Sequence, residues 1–227
     1  MRATLTGAVA LVTLLAACTE DPVTEVPTAA ERDAARALVD QIQALTAIAD
    51  MPLDAEMLLA ATSSTPITRL LAPAGTRMVM PSLRGAAGSE LRGCATVTAY
   101  TVSFAECAIV EHVIDGTLTR QGHEIVVYLD DVFLLDAGLH GAASVGGRLT
   151  TGPAGLSGAL SIGAQWSVDG DDTLIDASVR LDEVTLDHAG CPVGGAMLVT
   201  ADLVGPDLRE TRAIRFGPSC GDISLTR

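Results

Sequence analysis

The chain has 227 residues, 48% of them hydrophobic and 3% aromatic, and its 28 acidic residues outnumber 14 basic residues, all of which are Arg. The net charge of −14 argues against a nucleic-acid-binding protein, because neutralising phosphates needs a basic surface. Six aromatic residues leave little for a platform that stacks sugars or bases. The length fits one domain of ordinary size or two small ones, and the many Gly and Pro residues favour a turn-rich β protein.

Residues 1–17 are predicted to be an export signal peptide that is cleaved from the mature chain. The apolar stretch 8–17 is too short to cross a hydrocarbon layer of roughly 30 Å as a helix. It ends in Leu15-Ala16-Ala17-Cys18, which resembles the lipobox of bacterial lipoproteins. The resemblance implies that a diacylglycerol is attached to the sulfur of Cys18 and that cleavage makes Cys18 the new N-terminus. The alternative is a plain secretory signal that is cut nearby.

The residue after the lipobox bears on the destination of the protein. It is Thr19 rather than the Asp that favours retention in the inner membrane of enterobacteria, so the resemblance implies an outer-membrane protein of the cell envelope. Buried acyl chains contribute about 0.8 kcal/mol per CH₂, so the lipid would be the membrane contact and no basic amphipathic helix is needed. We therefore expect a membrane partner through the lipid and no nucleic-acid partner.

Four cysteines remain after Cys18, and an even number in an exported protein favours disulfides. Of the three pairings that four cysteines allow, the sequence favours Cys94 with Cys107 and Cys191 with Cys220, because each pair brackets one predicted β-hairpin. The competing interpretation is a zinc site, but these spacings do not resemble paired CxxC knuckles.

The chain divides into four parts after the signal peptide. Residues 18–28 are predicted to be an acidic, proline-containing tether without fixed structure, and residues 29–62 a helical segment. Residues 63–93 are an irregular connection rich in Pro and Gly, and residues 94–227 a β domain with two disulfides.

The helical segment has a recognisable start. Thr28 and Glu31 have the spacing of a capping box, in which each side chain bonds the backbone N–H of the other residue. One or two helices follow, the first ending near Asp50 before Pro52 and the second spanning 54–61. The positions that share the apolar face of the first helix are Ala35, Leu38, Ile42, Leu45 and Ala49.

From Cys94 onward the hydrophobic period is two, and the joints are too short for parallel crossovers. The sequence therefore predicts a mainly β fold: an antiparallel meander of about nine or ten strands, curled into a barrel, half-barrel or sandwich, with the N-terminal helix covering its apolar face. The apolar positions are odd-numbered from 175 to 181 but even-numbered at Val184 and Leu186. This change of parity predicts a bulge near Asp182-Glu183.

One face of two central strands is almost entirely small. Small side chains let another backbone approach closely, so this face is a candidate docking surface for a partner or for another part of the chain. The alternative is a solvated sheet face that is simply poor in charge. Its residues are Ala142, Ser144, Gly146, Ser157, Ala159, Ser161 and Gly163.

Three patterns that could carry chemistry have ordinary structural explanations. The segment 155–159 resembles a Gly-x-Ser-x-Gly nucleophile elbow around Ser157, but no helix follows as that motif requires. Asp169, Asp171 and Asp172 could form a weak cation site, although Asp-Gly is also a hairpin turn. A two-residue turn at 121–122 would place His112 opposite Asp131, as an acid–base pair or, more simply, an exposed cross-strand contact.

These observations predict an envelope lipoprotein with a structural or protein-interaction role, no cofactor, no metal and no catalytic activity. The alternative is a carrier of an apolar ligand in a cavity under a helical lid, by analogy of fold alone. The third hypothesis is an enzyme of unknown class.

Overall fold

The computed structural model describes residues 24–48, 93–109, 112–134, 140–168, 171–204 and 208–226. These residues form one helix and eleven strands. The elements are α1 (Ala29–Ile48), β1 (Thr24–Glu25), β2 (Ala95–Val97), β3 (Thr101–Ile109), β4 (His112–Gln121), β5 (Glu124–Leu134), β6 (His140–Gly152), β7 (Gly155–Val168), β8 (Asp171–Leu186), β9 (Pro192–Val204), β10 (Leu208–Phe216) and β11 (Ile223–Thr226).

All the strands belong to one antiparallel sheet. From β2 to β11 each strand pairs with the next in the chain, which makes a ten-strand meander, and β1 adds to β11 at the far edge. Among the described residues β1 and β2 do not pair, so the sheet is open and not closed into a barrel. The predicted fold class, an antiparallel meander with an N-terminal helix, is confirmed.

The end of the predicted tether is part of the fold. Thr24 and Glu25 pair with Thr226 and Leu225 of β11, so these residues are ordered by the sheet edge. The capping box is confirmed: Thr28 N–H donates to Glu31 Oε2 at 2.8 Å, and Glu31 N–H donates to Thr28 Oγ1 at 3.2 Å. Helix α1 therefore starts at a fixed place beside the last strand.

Helix α1 covers one face of the sheet, here called the inner face. Four predicted core positions, Ala35, Leu38, Ile42 and Leu45, are fully buried, while Ala49 lies outside the described residues. They belong to the same cluster of buried residues as the inward side chains of the strands, including Val145, Leu160 and Val179. The inner face is therefore filled by the helix, and the opposite, outer face is left to solvent.

Two bulges among the described residues place a non-glycine residue at positive φ. The predicted one is confirmed, because the β8 register shifts between Asp182 and Thr185, and Glu183 takes a positive φ of 49°. A second, which the sequence analysis did not predict, lies in β3 at Glu106, also with φ 49°. In each case an outward side chain of the adjacent strand accepts the bulged N–H: Ser157 Oγ at 3.1 Å for Glu183, and Asp115 Oδ1 at 2.7 Å for Glu106.

The two predicted cysteine pairs lie at disulfide distance. The Sγ atoms of Cys94 and Cys107 are 2.05 Å apart, and those of Cys191 and Cys220 are 1.89 Å apart. The first pair ties the start of β2 to β3, and the second ties the start of β9 to the turn before β11. Each pair closes the hairpin that it brackets in the sequence.

The predicted second helix at 54–61 and the irregular connection over 63–92 lie outside the described residues, as do residues 1–23. Of the elements that are described, no helix is long and apolar enough to span a membrane.

Candidate functional site

The small-residue face (Ala142, Ser144, Gly146, Ser157, Ala159, Ser161 and Gly163) lies on the outer face of β6 and β7, as the alternation of residues predicts. Ser144 is directly opposite Gly163, and Gly146 is opposite Ser161. None of the seven residues is buried: Ala142, Ala159 and Ser161 are exposed and the others are half-buried. The structure thus brings the seven residues together as one accessible patch.

Two members of this face also have structural roles. The Oγ atom of Ser144 lies 2.8 Å from the position that a Cβ of residue 163 would take. The absence of a side chain at Gly163 therefore leaves room for the Ser144 hydroxyl across the strands. The Ser157 hydroxyl accepts the bulged N–H of Glu183. Ser157, the residue of the elbow-like motif, therefore lies within a strand and supports the β8 bulge.

Exposed apolar side chains flank the small-residue face on β5 and β8. Val132 is 53% exposed, Tyr128 58% and Leu174 40%, and each points to the outer face. Tyr128 is directly opposite Gly146, which has no side chain to cover the ring. A hydrogen bond to Asp130, together with its negative charge, raises the pKa of the Tyr128 phenol above its ordinary value. Tyr128 therefore stays a neutral phenol at physiological pH.

His112 and Asp131 are in contact, but not in the predicted register and not on the predicted exposed surface. Gln121 pairs with Glu124, so the turn is Gly122-His123 and the register differs by two from the predicted one. Asp131 lies opposite Ile114, and His112 Nδ1 reaches Asp131 Oδ2 diagonally at 2.8 Å. The expectation of an exposed contact is wrong, because the two residues are only 7% and 4% exposed on the inner face.

His112 and Asp131 form a buried polar contact between β4 and β5. The Asp131 carboxylate lies within hydrogen-bond distance of Nδ1 through both oxygens, at 2.8 and 3.0 Å, which fixes the orientation of the imidazole. Burial keeps the pair away from solvent at the edge of the core. The arrangement is that of a buried polar contact holding β4 to β5.

The inner face holds a second polar pair, which the sequence analysis missed. Arg212 Nη2 lies 2.7 Å from Glu210 Oε2, and the Arg212 side chain is 5% exposed. Both residues lie on β10, two positions apart and therefore on one face. The residue opposite Glu210 is Ala201, which is itself opposite Ala177, so small side chains leave room for the two long ones. Arg212 lies two residues before buried Ile214 on the same strand, and this shared parity was the signal in the sequence that Arg212 points inward.

A cavity of about 300 Å³ lies beside the second half of α1. Gln43 and Thr46 of the helix line one side, and the turn between β6 and β7 with Leu156 and Val184 lines the other. The Gln43 amide also donates to Gly190 O at 2.7 Å, which holds this part of the helix to the loop before β9. The cavity is at the end of the helix and mixes polar with apolar groups, whereas the interface under Leu38 and Ile42 is filled.

The candidate cation site cannot be assembled from the described residues, because Asp169 lies outside them. Asp171 and Asp172 begin β8, opposite Val168 and Ser167. Within the described ranges, no group of three or more His, Cys, Asp or Glu side chains could hold a metal ion.

Comparison with protein-family models, with curated proteins and with solved structures finds no match to this chain.

Proposed function

We propose that this chain is a lipid-anchored module of the bacterial cell envelope, held in the outer membrane. Its outer sheet face binds another protein. The anchor is proposed at Cys18, on the resemblance of residues 15–18 to a lipobox. Two cysteine pairs at disulfide distance agree with an oxidising compartment, since disulfides persist outside the cytoplasm. The role proposed for the folded part is interaction rather than catalysis.

The observation that carries the interaction role is the contrast between the two faces of the sheet. The inner face is filled by α1, so it offers little surface to a partner. The outer face at β6 and β7 combines small side chains with the exposed Tyr128 and Val132. Exposed apolar patches mark interaction sites, and Tyr is enriched at interfaces because its apolar ring carries a polar group.

The anchor is tested by a Cys18→Ser variant expressed in a bacterial host with labelled palmitate. We expect the unchanged protein to incorporate label and fractionate with membranes, and Cys18→Ser to lose both. Thr19→Ala is the matched control, because it changes the neighbouring residue and leaves Leu15 to Cys18 intact. Membrane fractionation that survives Cys18→Ser would refute the lipid anchor.

The docking role is tested by photo-crosslinking in intact cells, with a photoreactive amino acid at Ala159. We expect one defined adduct, lost when Ser161→Arg places a long charged side chain on the small-residue face. Asp33→Arg is the control, since Asp33 is also exposed but lies on helix α1, away from the outer face. An adduct unaffected by Ser161→Arg, or no adduct, would contradict the proposal.

A second candidate function is an apolar-ligand carrier, favoured by the 300 Å³ cavity beside α1. Native mass spectrometry of the protein released from membranes would detect a retained lipid. The carrier hypothesis predicts that Leu156→Trp, which fills the cavity wall, removes that lipid, whereas Leu186→Trp at the more exposed rim does not. Protein that carries no lipid beyond its anchor would contradict the carrier hypothesis.

A further inference from the structure

The charges on the outer face form two rows that cross the strands. Asp130 lies opposite Ser144, which lies opposite Gly163. Gly163 lies opposite Asp176, which lies opposite Asp202, so the three Asp residues belong to one row across the strands. A second row lies four residues from the first along each strand and contains Arg148 on β6 and Arg180 on β8. Between the two rows runs a neutral row, whose members are Tyr128, Gly146, Ser161, Ser178, Thr200 and Thr211.

This charge pattern differs from that of the chain as a whole. The chain has twice as many acidic as basic residues, yet from β5 to β10 these three rows hold as many Arg as Asp. Three of these six charges are paired within the chain: Arg148 with Glu124 at 3.0 Å, and Arg209 with Asp202 at 3.5 Å. A nearly neutral face on an acidic protein removes the repulsion that would keep two copies apart.

Asp176 and Arg180 are the charges that stay available. They lie on the outer face of β8, and both are exposed. Four residues of strand separate them by about 13 Å, which is too far for an ion pair within the strand. Neither forms an ion pair within the part of the chain that the structure describes.

We infer that the occupant of the outer face is a second copy of this chain, stacked face to face about a two-fold axis that runs along the neutral row. Such an axis keeps each strand over its own copy and reverses its direction. Asp176 of each copy then faces Arg180 of the other, so the same contact forms twice. This inference names the partner within the proposed interaction role and rests on it.

The charges select this axis over the other face-to-face arrangement. A two-fold axis parallel to the strands, between β6 and β7, would set Asp130 of one copy against Asp176 of the other and repel it. With the axis along the neutral row, residues of that row face themselves, so the exposed Tyr128 ring meets its own copy. The small-residue face allows the two sheets to approach to the usual distance of about 10 Å or closer.

The test uses the full chain with Cys18→Ser, so that the lipid plays no part in association. Sedimentation equilibrium across the micromolar range is expected to show a monomer–dimer equilibrium. Asp176→Arg places two Arg in each contact and Arg180→Asp places two Asp, so each variant alone should raise the dimer dissociation constant about tenfold or more. Asp33→Arg and Arg36→Asp, two exposed positions on α1, are the matched controls and should change nothing.

Mixing gives the decisive result. When the Asp176→Arg chain is mixed with the Arg180→Asp chain, every contact again joins an Arg to an Asp, so heterodimers should form while each variant alone stays monomeric. If either substitution acted only by disturbing the fold of its own chain, mixing the two variants would not restore association. A parent chain that stays monomeric throughout the range, or a mixture that does not associate, would overturn the inference.

A second measurement places the axis. Ser161 lies on the neutral row and faces itself, so Ser161→Cys should crosslink the dimer through a short bis-maleimide. Gln165→Cys should not, because exposed Gln165 lies four residues along the same strand and the two copies of it would be about 26 Å apart. Equal crosslinking of the two would overturn the arrangement. The outcomes remain separable from those of the proposed function: a monomeric chain whose Ala159 crosslink to another protein is lost with Ser161→Arg supports docking and refutes the second copy.

Discussion

Two adjacent glycines in β6 should respond oppositely to the same substitution. Gly147 points to the inner face with a φ of 149°, and a Cβ there would lie 2.3 Å from Ala159 O and 2.8 Å from the Cα of Leu160. Gly146 points to the outer face, and its nearest neighbour, Val127 O, is 3.9 Å from the Cβ position. Of the two, only Gly147 therefore needs to be glycine, because its backbone conformation and the close approach of β7 leave no room for a Cβ.

The expected cost of Gly147→Ala has two parts. A non-glycine residue in this backbone region costs about 1–3 kcal/mol. An ordinary Cβ contact begins at 3.4 Å, so β7 must also retreat by about 1 Å, which weakens a ladder hydrogen bond worth about 1 kcal/mol. We expect Gly147→Ala to lower the free energy of unfolding by about 2–4 kcal/mol, and the melting temperature by roughly 10 °C.

Urea unfolding with the cysteine pairs oxidised measures this difference, and Gly146→Ala is the control. Gly146→Ala should be neutral or stabilise by about 0.5 kcal/mol, because it restricts the unfolded chain without creating a clash. If both variants unfold at the same urea concentration, the close approach of β6 to β7 at Gly147 is refuted.

Three further stability changes can be measured in the same assay. Replacing the Cys191–Cys220 pair by serines should cost about 3.6 kcal/mol by loop entropy, from its sequence separation of 29; a loss below 1 kcal/mol would contradict a bridged pair. Thr28→Ala should cost about 1 kcal/mol, because it removes the cap of α1, and an unchanged midpoint would argue against the capping box. Leu38→Ala should cost about 2–5 kcal/mol, because it leaves a cavity under the helix, while exposed Arg36→Ala should be near neutral; equal effects would refute the packing of α1 on the sheet.

Most of the fold could be predicted from the sequence because its signals are local. The period-two pattern, the short joints and the Thr28–Glu31 spacing each act within a few residues, and they predicted the meander, the helix start and the bulge at Glu183. The face of the helix and the two cysteine pairs follow from the same local patterns. The bulge at Glu106 escaped prediction, because it depends on the carboxylate of Asp115 on the next strand.

Polar residues of the core were the harder part. His112 shares strand parity with buried Ile114, and Arg212 with buried Ile214, so parity alone predicts that both point inward. Their polar or charged side chains would by themselves predict exposure, and the contacts with Asp131 and Glu210 offset the cost of burying them. Those contacts depend on register and on neighbouring small residues, which one strand's sequence does not specify. The outward direction of the small-residue face needed parity only, and it was predicted.

The proposed place of this chain in the cell envelope rests on a lipid anchor at Cys18 and on two disulfides. Intact-mass spectrometry of the protein extracted from bacterial membranes, before and after reduction and alkylation, tests it most directly. We predict a chain that begins at acylated Cys18 and whose four other cysteines are alkylated only after reduction. A chain with an unmodified Cys18, or with four thiols that react without reduction, would contradict the account.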